Sequence, residues 1–183
     1  MRIEARNVTL TAVFTGLYVV INLAQAATVG NPAISGPVQL RVADCLIPLA
    51  ALFGWPVVAA VSLGGALTNA FVAFVNPVDV ALGPTANLIA ASLALLLRKR
   101  HLLACIAAAL PVGVIVGGGY LWWFFAPPDI LGLSLPAWMA MMISITISSL
   151  LATAVIGYVL LKIFSRPGII EPLKSRGLKM YKK

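Results

Sequence analysis

Gln39, Arg41 and Asp44 fall close together in a chain that is otherwise almost entirely apolar. Near helical geometry, Arg41 and Asp44 are three apart and share a face, with Gln39 within a turn of them. Ionisable groups inside a membrane span cost roughly 2.5–3.5 kcal/mol each on insertion scales, so they tend to face a cavity, a partner or a substrate. Further polar and aromatic residues collect toward the same side. Asp79, Gly83 and Asn87 follow at i, i+4 and i+8 on one helical stripe, Asn69 lies in the span before it, and Trp122 and Trp123 lie near the end of a later one. Such a set suits a planar, hydrogen-bonding heterocycle. A carboxylate accepts two hydrogen bonds from an N–H/NH2 edge, while Gln or Arg donates to a carbonyl oxygen. Tryptophan stacks on the ring face.

Each residue also has a structural alternative. Arg41 and Asp44 suit an ion pair that pins a loop, and Asp79, following Pro77, suits a helix cap favoured by the helix dipole. Trp122 and Trp123 suit an interfacial aromatic belt, and Asn69 and Asn87 suit interhelical hydrogen bonding. The case for a site rests on their shared side of the membrane, since no single residue is specific.

The surrounding chain is of membrane type. It is 61% hydrophobic and 10% charged over 183 residues, with a mean hydropathy of +1.03, whereas soluble domains are about 25% charged. The expected fold class is an all-α integral membrane protein, with six transmembrane helices in a compact bundle. Residues 1–164 form the membrane domain and 165–183 a basic cytoplasmic tail. The net charge of +8 sits at the ends of apolar segments, where orientation and anionic lipid account for it better than nucleic acid does.

The spans are expected at about 8–28, 41–53, 57–75, 79–97, 102–125 and 136–164. Thr9 or Asn7 is the expected cap of the first, and the tail is expected to be a surface helix or disordered. With the N-terminus in the cytoplasm, Arg2, Arg6, Arg98, Lys99, Arg100, Lys162, Arg166, Lys174, Arg176, Lys179, Lys182 and Lys183 all fall inside. Arg41 is the exception, and Asp44, Asp79 and Asp129 fall outside. The positive-inside rule therefore puts both termini in the cytoplasm. The Arg2/Arg6 start and Ala24-Gln25-Ala26 imitate a signal peptide, but the run is long enough to span and is read as a retained first helix.

Two spans stand out. The second is only about 20 Å long at 1.5 Å per residue, short of a hydrocarbon core of about 30 Å, and Pro48 interrupts it. Short or broken segments point to a transporter's binding site, and the 29–40 loop is expected to dip in as a lid. The first span carries Ala12 and Gly16 at i, i+4, beside Thr11 and Thr15. This small-residue stripe permits close helix approach, either within the bundle or to an energising partner on the cytoplasmic side.

Several chemistries lack their motifs. There is no G-x-x-x-x-G-K-S/T phosphate loop, no H-E-x-x-H and no G-x-S-x-G, which removes the usual ATPase, zinc-protease and serine-hydrolase signatures. Cys45 and Cys105 lack metal-ligand spacing and read as buried small hydrophobes. No catalytic residue, metal ligand or cofactor is expected.

Gly36-Pro37-Val38-Gln39-Leu40-Arg41-Val42-Ala43-Asp44 resembles the signature of the queuosine-precursor (QueT) family, roughly G-P-I/V-Q-F/L-R-I/V-S/A-E/D. Asp79-Val80-Ala81-Leu82-Gly83-Pro84-Thr85-Ala86-Asn87-Leu88 is similar to that family's second signature. The chain departs from the pattern at Asp44, one methylene shorter than the usual glutamate, at Ala43 in place of serine, and at Pro84. The resemblance implies a substrate-binding S component of an energy-coupling factor (ECF) importer. Such a subunit captures a 7-deazaguanine (preQ0, preQ1 or queuine) outside and works with a membrane scaffold (T) subunit and two cytosolic ATPases. Gln39, Arg41 and Asp44 would then contribute to the pocket or its lid, and Ala12 and Gly16 to the docking surface. The alternatives are an S component for another vitamin or nucleobase and a stand-alone secondary transporter. The latter would want internal repeats and charges along a through-path, neither of which is evident.

Overall fold

The computed structural model describes residues 4–29, 41–71, 76–130, 132, 134–175, 177, 178 and 180. Among the described residues every regular element is helical: α1 (Ala5–Val29), α2 (Val42–Phe53), α3 (Trp55–Phe71), α4 (Pro77–Leu96), α5 (His101–Trp123), α6 (Ala137–Phe164) and α7 (Pro167–Ser175). Four of these, α1, α4, α5 and α6, are long and apolar enough to cross a membrane, while α2 and α3 are shorter apolar helices. These elements lie within a few residues of the expected spans. The expected 29–40 lid and Gln39 lie outside the described residues.

Local chemistry explains most of the boundaries. The Asn76 side chain accepts a hydrogen bond from the Val78 amide at 2.8 Å, and Pro77 occupies the first turn of α4, a favoured start. Asn76 is therefore the cap, and Asp79, one turn in, is free for other partners. The first helix starts at Ala5, upstream of Asn7 and Thr9, so neither caps it. The Thr9 hydroxyl instead donates to its own helix at the Ala5 carbonyl. Gly54, at φ +76°, makes the sharp turn from α2 to α3 that an L side chain would resist.

The α2 helix begins as a 3-10 helix over Val42–Leu49 and ends in one α-helical turn. Pro48 has no N–H to give the Cys45 carbonyl. The opposite wall is Gly157 of α6, where any Cβ would come within 2.9 Å of that carbonyl and of the Pro48 ring. Glycine thus lets α6 close on the proline-interrupted helix. Residues 151–157 around it are π-helical, as are 112–118 of α5, the latter directly after Pro111, where the helix ladder also loses a donor.

Side-chain bonds give the helix directions. Thr11 donates to the Pro56 carbonyl and Thr15 to that of Ala60, a constant offset, so α1 and α3 run parallel. Asn69 donates to the carbonyl of Asp79, and Asn87 to that of Val61, so α3 and α4 run antiparallel. Thr153 donates to the Cys105 carbonyl while Gly113 lies against Thr146, which makes α5 and α6 antiparallel. The Arg6 guanidinium donates to the Gly177 carbonyl at 3.0 Å, bringing the start of α1 and the end of the chain to one side. The tail contributes a short helix, α7, whose Ile170 is buried in the bundle.

Fully buried alanines, Ala86, Ala90, Ala91 and Ala94 on α4 with Ala104 and Ala108 on α5, let these helices approach closely. Larger core residues, including Ile47, Leu49, Leu52, Val57, Val58 and Val61, fill the space around α2 and α3.

Candidate substrate-binding site

A buried polar network lies where α2 and α4 begin and α3 and α5 end. Asp44, on the first turn of α2, is 1% exposed and accepts a 2.7 Å hydrogen bond from the Tyr18 hydroxyl of α1. Asn87 of α4 donates through its amide nitrogen to the same hydroxyl at 2.9 Å and to the Val61 carbonyl at 3.2 Å. Asp79, one turn into α4, accepts a short hydrogen bond from the Tyr120 hydroxyl of α5. Its backbone carbonyl accepts the Asn69 amide nitrogen of α3 at 2.9 Å. Each carboxylate thus has its own tyrosine, and each asparagine is anchored by its nitrogen.

The two asparagines are interlocked by glycines on the facing helix. A Cβ at Gly65 would meet the Asn87 amide nitrogen at 2.8 Å, and one at Gly83 would collide with that of Asn69. Gly65 and Asn69 lie one turn apart on α3, as Gly83 and Asn87 do on α4. Antiparallel packing therefore seats each asparagine over the other helix's glycine.

The amide orientations follow from chemistry. A backbone carbonyl only accepts, so the Val61 and Asp79 carbonyls both demand the NH2 end of their asparagine. The oxygens, Asn69 Oδ1 and Asn87 Oδ1, are then left buried without a hydrogen-bond partner among the described residues. An unmet buried acceptor costs about 1–3 kcal/mol, so these two oxygens call for N–H or O–H donors from elsewhere.

Arg41 precedes the first turn of α2. Its carbonyl accepts the Asp44 amide at 3.2 Å, one turn along α2, and among the described residues its side chain makes no ion pair with either carboxylate. The start of α2 is held by Gln25 of α1, whose side-chain oxygen accepts the Val42 amide at 3.0 Å.

The structure thus brings together Arg41 and Asp44 at the start of α2, Asn69 of α3, and Asp79 and Asn87 of α4. Trp122 and Trp123 are not bonded to this network. Trp122 is half-buried and donates to the Gly118 carbonyl of its own helix, while Trp123 is 65% exposed and packs edge-on against it. The aromatic residue that reaches the site from α5 is Tyr120. Sequence reasoning missed Tyr18, Tyr120 and Gln25. A signal for Tyr18 was present: Phe14, Tyr18, Asn22 and Gln25 follow helical spacing, a polar-tipped stripe within an apolar span.

A second feature lies on another face of α1. Thr11 and Thr15 stitch α1 to α3, whereas Ala12 and Gly16 stay exposed, with nothing near the position a Gly16 Cβ would take. Together with Val8, Trp55, Ala59 and Leu63 they line an open, mainly apolar groove of about 760 Å³. Of the small-residue stripe, Thr11 and Thr15 are half-buried and also line this groove, while Ala12 and Gly16 are exposed.

An apolar helical bundle with four helices long and apolar enough to cross a membrane is the architecture of a multi-pass membrane protein. Residues 8–166 match the QueT transporter family, and the chain belongs to it. No curated protein and no solved structure matches the chain.

Proposed function

We propose that this protein is the high-affinity substrate-binding S component of an ATP-driven ECF importer. It takes up a queuosine precursor, a 7-deazaguanine such as preQ0, preQ1 or queuine. One observation carries the ligand class: a buried network with two carboxylates and two partnerless amide oxygens is rich in acceptors and matches a ring with an N–H/NH2 edge. Asp44 and Asn87 receive that edge, and Arg41 and Gln39 donate to the ring carbonyl. Asn69 and Asp79 line the other side, and Trp122 and Trp123 flank the entrance.

In this reading the chain crosses the membrane six times. The parallel run of α1 and α3 and the Arg6–Gly177 contact support an even number of crossings, and the charge distribution supports cytoplasmic termini. The membrane scaffold subunit lays an apolar helix into the groove at Ala12 and Gly16, and two ATPases act through it. No phosphate-loop motif occurs in the chain, which fits a subunit energised from outside.

Mass spectrometry of the molecule retained through purification tests the ligand. A 7-deazaguanine is expected, and a chemically unrelated ligand would refute the assignment. Affinity purification from the native membrane tests the assembly. Recovery of a scaffold and two ATPases is expected, and full uptake by the isolated chain in vesicles would refute it.

A further inference from the structure

The first turn of α2 carries Asp44, yet the residue before that helix supplies no cap. Arg41 holds the N-cap position in an extended conformation, and its side chain makes no capping hydrogen bond. A guanidinium only donates, so it cannot receive a first-turn amide. Helix starts leave such amides open, and within a bilayer water does not meet them. Here the acceptor comes from another helix: the Gln25 side-chain oxygen of α1 takes the Val42 amide at 3.0 Å.

Gln25 is half-buried and lies two turns beyond Tyr18 on the same face of α1. Tyr18 holds Asp44 by its carboxylate at 2.7 Å, and Gln25 holds Val42 by its backbone. A single bond is a pivot about which the first turn can swing. A second bond, made to the main chain, removes that freedom and fixes the place of Asp44. Tyr18 is itself fixed, because α3 closes on it at Gly64, where a Cβ would come within 2.9 Å of the Tyr18 ring. Asn22, between the two on α1, donates to the Tyr18 carbonyl. The body of α2 is held independently of Gln25. Residues Ala43 to Phe53 are all buried, and Gly157 packs against Cys45 and Pro48. Loss of the Gln25 bond therefore loosens the first turn and leaves the helix in place.

We propose that Gln25 is a positioning residue of the substrate site, capping α2 from the neighbouring helix and so setting where Asp44 stands. This rests on the reading of the buried network as that site. Gln25 acts on the backbone, so its effect on binding passes through Asp44.

The test uses the purified full chain in lipid nanodiscs, with 7-cyano- and 7-aminomethyl-7-deazaguanine as probes. Hydrogen exchange of the Val42 amide in the ligand-free protein reads the cap, and titration reads its consequence. Gln25→Met, close in shape but without an acceptor, is expected to speed that exchange. It is also expected to weaken binding about fivefold, a partial loss of the charged hydrogen bond at Asp44, with the thermal midpoint unchanged. Gln25→Glu keeps the acceptor and is expected to restore both readouts. In an Asp44→Asn background Gln25→Met is expected to cost less than about twofold, whereas in an Asp79→Asn background its full effect remains. Gln25→Asn, too short to reach Val42, replaces the Met variant if that one fails to fold. Unchanged exchange or unchanged affinity in Gln25→Met overturns the proposal, as does a full loss that persists in the Asp44→Asn background. If neither probe binds the folded wild type, the substrate-site reading falls and the positioning role with it, while exchange at Val42 still reports the cap separately.

Discussion

Two faces of α1 meet opposite requirements. On one, Tyr18 is fully buried, its hydroxyl both donating to Asp44 and accepting from Asn87. On another, Ala12 and Gly16 are exposed beside an open groove. The buried face belongs to a preorganised polar surface whose remaining demands are specific, two amide oxygens without donors among the described residues. The exposed face is shaped and mainly apolar. The contrast separates two tasks on one helix: recognition of a small polar ligand, and close approach of another apolar helix.

Variants on each face should therefore fail in different assays. The largest effect is expected from Gly16→Leu, which fills the groove without touching the buried network. Uptake into cells should be abolished while ligand affinity of the purified protein stays the same, and a parallel loss of affinity would join the two faces into one unit. Asp44→Asn should do the reverse at its source, weakening ligand binding by about 1.5–3 kcal/mol through loss of a charged hydrogen bond, as read by calorimetric titration.

Gly65→Ala tests the interlock of α3 and α4. The added methyl would push on the Asn87 amide at 2.8 Å, and such overpacking costs about 1–3 kcal/mol, measurable as a lowered thermal midpoint in detergent. Tyr18→Phe removes one hydrogen bond to Asp44 and leaves Asn87 short of an acceptor, a loss of about 1 kcal/mol in affinity. The smallest effect is expected from Trp123→Phe. This side chain is mostly exposed and bonds nothing in the network, so affinity should change by less than about 0.5 kcal/mol. A larger loss would move the stacking surface back to the tryptophan pair.

The helices were legible in the sequence because apolar length and Pro/Gly punctuation decide them locally. Gly54 and Asn76-Pro77 mark boundaries that the structure keeps. The carboxylates and amides of the buried network were legible as a group too, because a polar residue in an apolar span has few reasons to be there. Their partners were not. Tyr18 and Tyr120 look like ordinary interfacial or core aromatics in one dimension, and only the packing of α1 and α5 against α2 and α4 gives their hydroxyls carboxylates to meet. The reciprocal seating of Asn69 on Gly83 and Asn87 on Gly65 depends on the antiparallel register of α3 and α4, which no spacing within either helix reveals. The capping alternative for Asp79 fails for a local reason: Asn76, three residues earlier, takes the capping role and releases Asp79 for Tyr120.

Titration of a 7-deazaguanine into the wild type, Asp44→Asn and Asp79→Asn proteins in lipid nanodiscs tests the central claim most directly. Saturable binding to the wild type, weakened about tenfold or more by each substitution in a protein that remains folded, is the predicted result. Binding of equal strength to all three proteins, or none to the wild type, would contradict the assignment of this buried network as the substrate site.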